Sequence, residues 1–299
     1  MQTKGILLTV LSAVCFGITP LLTTAVYSYG VNSITVVFFR QLFVLPVLYV
    51  IMKAKHIRIH MEQRDLINIG IIAILGSGLT TILLFTSYSY IDVGTATTLH
   101  FLYPICVSVL CFFFYKERLG RNKIIALCLA AIGTLCFFQI GNGTSITGLL
   151  LAASSALTYA FYMVQLEKTH LAHHNAFKIS FYIAFFILLE TIAYHICIPV
   201  IHLSLPLPAY GLLMVLSMVS SFIAVILLQL GIKYLGPSTA SLFCLFEPVT
   251  SIICGKLFLN EQLTPIKMIG CLVILSALVI MTLSEQKKHK QKSDISDEI

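Results

Sequence analysis

The sequence has 299 residues, of which 58% are hydrophobic and only 10% are charged, with a formal net charge of +7. Because an ordinary soluble domain carries about 25% charged residues, this composition excludes a water-soluble globular protein. The basic residues lie in short segments between apolar stretches and in the C-terminal tail, a distribution typical of membrane proteins that argues against nucleic-acid binding.

Ten stretches are long and apolar enough to cross a bilayer, since a helix needs about 20 such residues to span roughly 30 Å of hydrocarbon. In chain order they cover residues 4–28, 33–52, 65–89, 94–115, 121–139, 146–166, 176–198, 209–232, 236–258 and 264–284. The first stretch lacks a convincing cleavage site, so we interpret it as a spanning helix and not as a signal peptide. The sequence therefore predicts an all-α integral membrane protein with ten transmembrane helices.

The positions of lysine and arginine predict that both termini are cytoplasmic. In that orientation sixteen of the nineteen basic residues fall on the cytoplasmic side and two on the opposite side, while Arg40 lies within the second helix. The tail 285–299 is charged and poor in apolar residues, which predicts disorder. We therefore expect a multi-pass protein of the cell membrane, either a plasma or an inner membrane, with a disordered cytoplasmic tail.

The two halves of the chain resemble each other when one is shifted by about 143 residues. Each half holds five predicted helices, and an odd number inserts the second half upside down relative to the first. The sequence therefore predicts two inverted five-helix repeats, at residues 1–142 and 143–284. The matching positions are Gly5 with Gly148, Ser12 with Ser155, Phe16 with Tyr159, Tyr103-Pro104 with Glu247-Pro248, and Glu117 with Glu261.

These features together resemble the EamA branch of the drug/metabolite transporter superfamily. The resemblance is carried by Arg40 in the second helix, by the small residues that precede Pro104 and Pro248, and by Glu117 and Glu261 before the fifth and tenth helices. It covers the chain except for the tail. It implies ten helices, a central cavity between the halves, and transport, often export, of amino acids or other small metabolites.

Ionisable side chains at membrane depth are the first candidates for function, because each costs about 2.5 to 3.5 kcal/mol on insertion scales and needs a partner, water or a function. Pro248 frees the carbonyl of Cys244 from its helical hydrogen bond, and Glu247 beside it can bind a substrate amine, carry a proton, or have a structural role beside the kink. Arg40 can bind a substrate anion, or it can lock the second helix through an ion pair or backbone carbonyls.

Polar and aromatic side chains on neighbouring helices complete the candidate site. His100 and Tyr103 share one face of the fourth helix, and we expect that face to meet Glu247 near the axis between the halves. The alternatives are packing for His100 and the aromatic residues, an ion pair for Glu190 and an interhelical hydrogen bond for Gln229. The predicted substrate-binding residues are Glu247, His100, Tyr103, Arg40, Gln229, Tyr159 and Phe16, and those considered for proton coupling are Glu247, Glu190 and His100.

Other residues are interpreted as structural. Glu117 and Glu261 are predicted to cap the starts of the fifth and tenth helices. The nine cysteines lack the CxxC spacing of a zinc site, and His170, His173 and His174 are interpreted as solvated loop residues. The chain has no Walker A, HExxH or GxSxG motif. We therefore expect no catalytic residue, no metal and no cofactor.

The sequence predicts a secondary transporter, which we expect to export a small metabolite such as an amino acid by alternating access. Its expected partners are the small-molecule substrate and the lipid bilayer, and it is expected to be a monomer or a homodimer. The alternatives are a nucleotide-sugar carrier of the same superfamily, a membrane-embedded enzyme that acts on lipid-linked substrates, and a receptor or scaffold without transport activity.

Overall fold

The computed structural model describes residues 2–117, 119–136, 145–169, 171–258 and 264–297, and within these ranges the regular structure is entirely helical. A short 3-10 turn at Leu171–His173 lies between two of the long helices. The long helices are α1 (Gln2–Tyr27), α2 (Ser33–Ala54), α3 (Gln63–Ser87), α4 (Val93–Tyr115), α5 (Arg121–Leu135), α6 (Ile146–Lys168), α7 (Ala176–Cys197), α8 (Leu207–Leu235), α9 (Pro237–Phe258) and α10 (Pro265–Asp297).

Across the described ranges, nine of these helices are long and apolar enough to span a membrane, so the chain is a multi-pass membrane protein. The remaining helix, α5, has 15 described residues and lies along α10. The segment 137–144, into which the predicted fifth span extends, lies outside the described residues, as do Arg118, His170 and the segment 259–263 with Glu261. The helix α10 continues to Asp297, and the disorder expected for the tail in solution stays a prediction.

Two pairs of helices deviate from regular α-helix at corresponding positions of the two halves. The helices α3 and α8 each contain a π-helical segment, at Ile72–Gly78 and Ser217–Ala224. The helices α4 and α9 are each interrupted just before their prolines, after His100 and after Phe243. Proline has no N–H, and its ring clashes with the carbonyl four residues earlier, at His100 and at Cys244, which accounts for both interruptions. Irregular backbone at membrane depth is tolerated where protein buries it or where it lines a cavity.

The first helix of each half packs against helices of the other half. The helix α1 packs against α8 and α9, and α6 packs against α3 and α4. The second helices, α2 and α7, pair with each other, as do α5 and α10. The center of the bundle is therefore built from both halves.

One end of the bundle, which we call the Lys4 end, carries the start of α1 and the end of α8. There the two helices lie very close: a Cβ atom at Gly231 would overlap the Thr9 hydroxyl oxygen, and one at Gly5 would lie 2.8 Å from the Cβ of Tyr234. Protein interiors have no spare room for such an atom, so this contact depends on the missing side chains. Around it the side chains of Met163, Leu166 and Ile232 are fully buried, so the Lys4 end is tightly packed in this conformation.

Gly231→Ala is expected to destabilise this contact, because the added methyl group must push α1 away from α8. Overpacking of this kind typically costs about 1 to 3 kcal/mol, so the melting temperature of the detergent-purified protein should fall. Gly211→Ala, on the same helix, is the matched control, since a Cβ there meets no atom within 4 Å. Equal melting temperatures for the two variants would contradict the close approach.

Candidate functional site

A cavity of about 80 Å³ lies in the middle of the bundle, and we call it the central cavity. Its walls come from α1, α2, α3 and α4 of the first half and from α6 and α9 of the second half. Five of the residues predicted from the sequence line it, and they are Phe16, Arg40, His100, Tyr159 and Glu247. The folded chain thus brings together side chains that are more than 200 positions apart in sequence.

A larger cavity of about 580 Å³ adjoins the central cavity on the side away from the Lys4 end, and we call it the vestibule. The two cavities share Pro20, Thr97 and Phe101 in their walls. The rest of the vestibule is formed by α1, α4, α9 and the start of α10, and its wall includes the exposed Asp92. We call this end of the bundle the Asp92 end. A solute can therefore approach the central cavity from the Asp92 end.

Glu247 is a buried carboxylate, 3% exposed, just after the interruption in α9. The Tyr103 hydroxyl donates a hydrogen bond to its Oε1 at 3.2 Å, so the expected meeting of these two repeat counterparts is observed. The carbonyl of Cys244 accepts from the backbone N–H of Glu247 at 2.8 Å, so a tight turn satisfies the carbonyl that Pro248 frees. In the described part of the chain no basic side chain forms an ion pair with Glu247. A buried carboxylate with this little compensation is costly in free energy.

Arg40 presents the opposite charge to the same cavity. Its Nε donates to Ser221 Oγ at 3.2 Å, and its backbone carbonyl accepts from Ser217 Oγ at 2.6 Å, which holds α2 against the π-helical segment of α8. Its guanidinium lies 5.3 Å from the ring centroid of Phe85. Among the residues that the structure describes, no carboxylate forms an ion pair with Arg40. The central cavity therefore holds one basic and one acidic side chain, and neither forms an ion pair among the described residues.

His100 and Tyr159 form the aromatic and polar wall next to Glu247. The Nδ1 of His100 and the hydroxyl of Ser155 are 2.9 Å apart, which ties α4 to α6. The rings of His100 and Tyr159 are 5.3 Å apart between centroids, and Tyr159 contacts Tyr103 edge-to-face at 4.7 Å. Tyr103 itself is 1% exposed and does not line the central cavity, but its hydroxyl donates a hydrogen bond to Glu247. The side chains of this wall therefore pack against each other and also line the central cavity.

Gln229 and Glu190, both proposed from the sequence as members of the site, are not brought to the central cavity. Gln229 is buried near the Lys4 end, and its Oε1 accepts a hydrogen bond from Ser180 at 3.3 Å. Glu190 packs over Gly78 at the end of the π-helical segment of α3. Its Oε2 has no hydrogen-bond partner among the described residues, so the ion pair considered from the sequence is not observed there. Both side chains point into helix contacts of α7 instead of the cavity.

The serines that orient the charged and polar residues were missed from the sequence as site residues. Ser221 and Ser217 hold Arg40, and Ser155 contacts His100. The only signal was the repeat match of Ser155 with Ser12, whose hydroxyl donates to the carbonyl of Ala224 at 2.8 Å. Serine is common in apolar helices, so its role becomes visible only when the neighbouring helix is in place.

Two residues interpreted as structural, Glu117 and His174, contact side chains of opposite type. Glu117 was expected to cap α5, but that helix begins at Arg121, and Glu117 instead contacts the Nζ of Lys123 at 2.7 Å. His174 was expected to be solvated, and its Nε2 lies 2.8 Å from Asp65 Oδ2. No group of three metal-binding side chains occurs in the ranges that the structure describes.

Known proteins similar to this chain are described as transporters. An uncharacterized transporter of Synechocystis sp. is 26% identical over 205 residues, which cover 67% of this chain and 62% of that protein. An uncharacterized transporter of Bacillus subtilis is 24% identical over 226 residues, covering 72% of this chain and 70% of that protein. One from Archaeoglobus fulgidus is 24% identical over 222 residues, covering 74% and 79%. The match thus spans less than two thirds of the Synechocystis protein's length.

One solved crystal structure has the same fold, with a TM-score of 0.79 over 96% of this chain and 99% of that chain, at 15% sequence identity. The model of the EamA-like transporter family matches the chain twice, at residues 3–139 and 146–283, once in each half. These two matches cover nearly all of the helical bundle that surrounds the central cavity. The chain therefore belongs to the EamA-like transporter family.

Proposed function

We propose that the protein is a secondary transporter that exports a small zwitterionic metabolite, such as an amino acid, through the central cavity. The observation that carries this proposal is the presence of Arg40 and Glu247 in one cavity, each buried and neither in an ion pair among the described residues. Buried charges are strongly favoured to have a partner of opposite charge. A zwitterion supplies both partners at once.

The shape of the two cavities supports the same class of solute. The central cavity, at about 80 Å³, has room only for the charged head of a small solute, whereas the vestibule has about 580 Å³. An α-amino acid has the matching two parts. Its ammonium and carboxylate are attached to one carbon and form a small charged head, and its side chain varies in size. The ammonium would be bound by Glu247 and the carboxylate by the guanidinium of Arg40 through charge-assisted hydrogen bonds. The side chain would extend toward the vestibule.

We propose that ten spanning helices form two inverted five-helix repeats, with boundaries near residues 142 and 143. The reciprocal packing of α1 on α8 and α9 and of α6 on α3 and α4 supports this arrangement. The paired π-helical segments and the paired interruptions support it too, because an exchange of conformation between equivalent halves needs equivalent irregular points.

In the proposed orientation both termini are cytoplasmic, and the chain lies in the cell membrane. The vestibule then faces outward, and the tightly packed Lys4 end closes the cytoplasmic side. Exchange of conformation between the halves would close the vestibule and open the Lys4 end, which is alternating access. Glu247 is the carboxylate at which a proton and the solute ammonium compete, so export can be uncoupled or driven by proton exchange at this one group.

The alternatives fit the central cavity less well. A nucleotide-sugar carrier must neutralise a diphosphate, and Arg40 is the single basic residue other than His100 among the described residues that line the central cavity. An enzyme on lipid-linked substrates needs acid, base or metal groups near one membrane interface. The charges described here lie instead in the middle of the bundle.

The proposal is tested by counterflow into liposomes that contain the purified protein. Liposomes loaded with an excess of one unlabelled amino acid are diluted into the same radiolabelled amino acid, and each of the twenty is tried in turn. At least one should accumulate above the level of protein-free liposomes. No accumulation of any amino acid by protein that is monodisperse and shows a cooperative thermal melt would contradict the proposal, and a parallel series with nucleotide sugars would decide the alternative.

A further inference from the structure

A second group of buried polar side chains lies between the central cavity and the Lys4 end. It consists of Tyr162 on α6, Gln229 on α8 and Ser180 on α7, each 3% exposed or less. The Ser180 hydroxyl donates to Gln229 Oε1 at 3.3 Å, and the Gln229 amide lies next to the Tyr162 hydroxyl. Neither the Tyr162 hydroxyl nor the Nε2 of Gln229 has a hydrogen-bond partner of good geometry among the described residues. We call these three residues the inner cluster.

Aromatic rings connect the inner cluster to the central cavity. Tyr162 stacks on Tyr159 with 5.7 Å between ring centroids, and Tyr159 lines the central cavity and contacts Tyr103. The Tyr103 hydroxyl reaches Glu247. The inner cluster therefore lies on a path from the site of Glu247 toward the end of the bundle that is closed in this conformation.

Buried donors without a partner cost free energy in this conformation. Protein interiors rarely keep such groups, and each one needs an explanation. The cost would be relieved in a conformation that opens the Lys4 end, because water or the solute could then reach the cluster. The Nε2 of Gln229 can only donate, and the Tyr162 hydroxyl can donate as well as accept, so an acceptor oxygen, such as an oxygen of a carboxylate, would satisfy both groups.

We propose that Tyr162, Gln229 and Ser180 form a second subsite, which binds a carboxylate oxygen of the solute when the Lys4 end is open. The inner cluster is buried in the conformation described here, and it lies between the Lys4 end and the central cavity. This inference rests on the proposed function for the identity of the solute. The opening of the cluster to water is independent of that identity.

Tyr162→Phe tests the subsite against a purely structural role. Thr134→Val on α5 is the matched control, because its hydroxyl is also buried and without a described partner, but Thr134 lines neither the central cavity nor the vestibule. Neither substitution should lower the melting temperature, since each removes an unsatisfied group. In oriented liposomes, Tyr162→Phe should raise the half-saturation concentration for the transported amino acid at the Lys4 face about tenfold. Thr134→Val should leave it unchanged.

The effect of Tyr162→Phe should also be larger at the Lys4 face than at the Asp92 face. Equal transport by the two variants, or a loss that is matched by a lower melting temperature, would overturn the subsite. A general loss of fold would lower the melting temperature, which separates that case from a loss of binding.

Accessibility of the inner cluster is measured with a thiol probe, whether or not an amino acid is the solute. Ser180→Cys and Ala184→Cys place thiols one turn apart on α7, both at buried positions. A membrane-impermeant maleimide added at the Lys4 face should modify the thiol at position 180 but not the one at 184, as quantified by mass spectrometry of the labelled peptides. Equal lack of reaction at both positions would overturn the inference. If the wild type moves no amino acid, this labelling alone decides whether the cluster opens.

Discussion

Glu247→Gln is expected to abolish amino-acid flux while leaving folded protein in the membrane. Glutamine keeps the size of the side chain and can still accept the hydrogen bond from Tyr103, but it removes the negative charge that pairs with the solute ammonium. Removing one partner of a buried ion pair costs about 3 to 5 kcal/mol. That cost corresponds to a loss of at least about a hundredfold in the initial rate of counterflow at low solute concentration.

Tyr103→Phe is the control for this prediction, because it removes only the hydrogen bond to the carboxylate. It should reduce flux about five- to tenfold, as expected for a single hydrogen bond to a charged group. Wild-type flux in the Glu247→Gln protein would eliminate the assigned role of Glu247. Flux that persists but no longer responds to a proton gradient would assign to Glu247 the proton and not the solute ammonium.

Arg40→Met is expected to cause the second-largest loss. The substitution keeps an unbranched apolar side chain in place but removes the guanidinium that we assign to the solute carboxylate. The rate for the transported amino acid should fall about a hundredfold, by the same reasoning on a buried charge pair. The rate for its decarboxylated amine should fall much less. The preference of the protein for the amino acid over its decarboxylated amine should therefore be lost.

Arg40 also holds α2 against α8, so the contribution of this helix contact to transport must be measured separately. Ser221→Ala removes the side-chain acceptor for Arg40 Nε without removing the charge. It should lower the melting temperature slightly and keep most of the flux. If Ser221→Ala loses as much transport as Arg40→Met, then the helix contact, and not recognition of a carboxylate, accounts for the importance of Arg40.

The bundle could be anticipated from sequence because its helices are set by the length of apolar stretches and its symmetry by repeated residues. The match of Tyr103 with Glu247 predicted that the two would meet, and their side chains are hydrogen-bonded. Each of the two residues directly precedes the proline of its half, just after the interruption of α4 or α9. No knowledge of the side-chain conformations was needed.

The directions in which the side chains of Gln229 and Glu190 point could not be predicted from the sequence. Hydropathy indicates depth in the membrane but not the direction in which a side chain points, and a few tens of degrees of helix rotation separate a cavity wall from a helix contact. The π-helical segments of α3 and α8 add such a rotation, and no proline marks them. Gly78, over which Glu190 packs, ends the π-helical segment of α3, and Gln229, which accepts a hydrogen bond from Ser180, follows that of α8.

Transport as we propose it requires one cavity that binds both charges of a zwitterion. Three solutes test this directly: the transported amino acid, its decarboxylated amine and its deaminated acid, compared by the concentration of each that raises the melting temperature of the purified protein. We expect the amino acid to act at concentrations at least about tenfold lower than either single-charge analogue, since only it satisfies both Arg40 and Glu247. Equal stabilisation by the amine or by the acid alone would contradict the account.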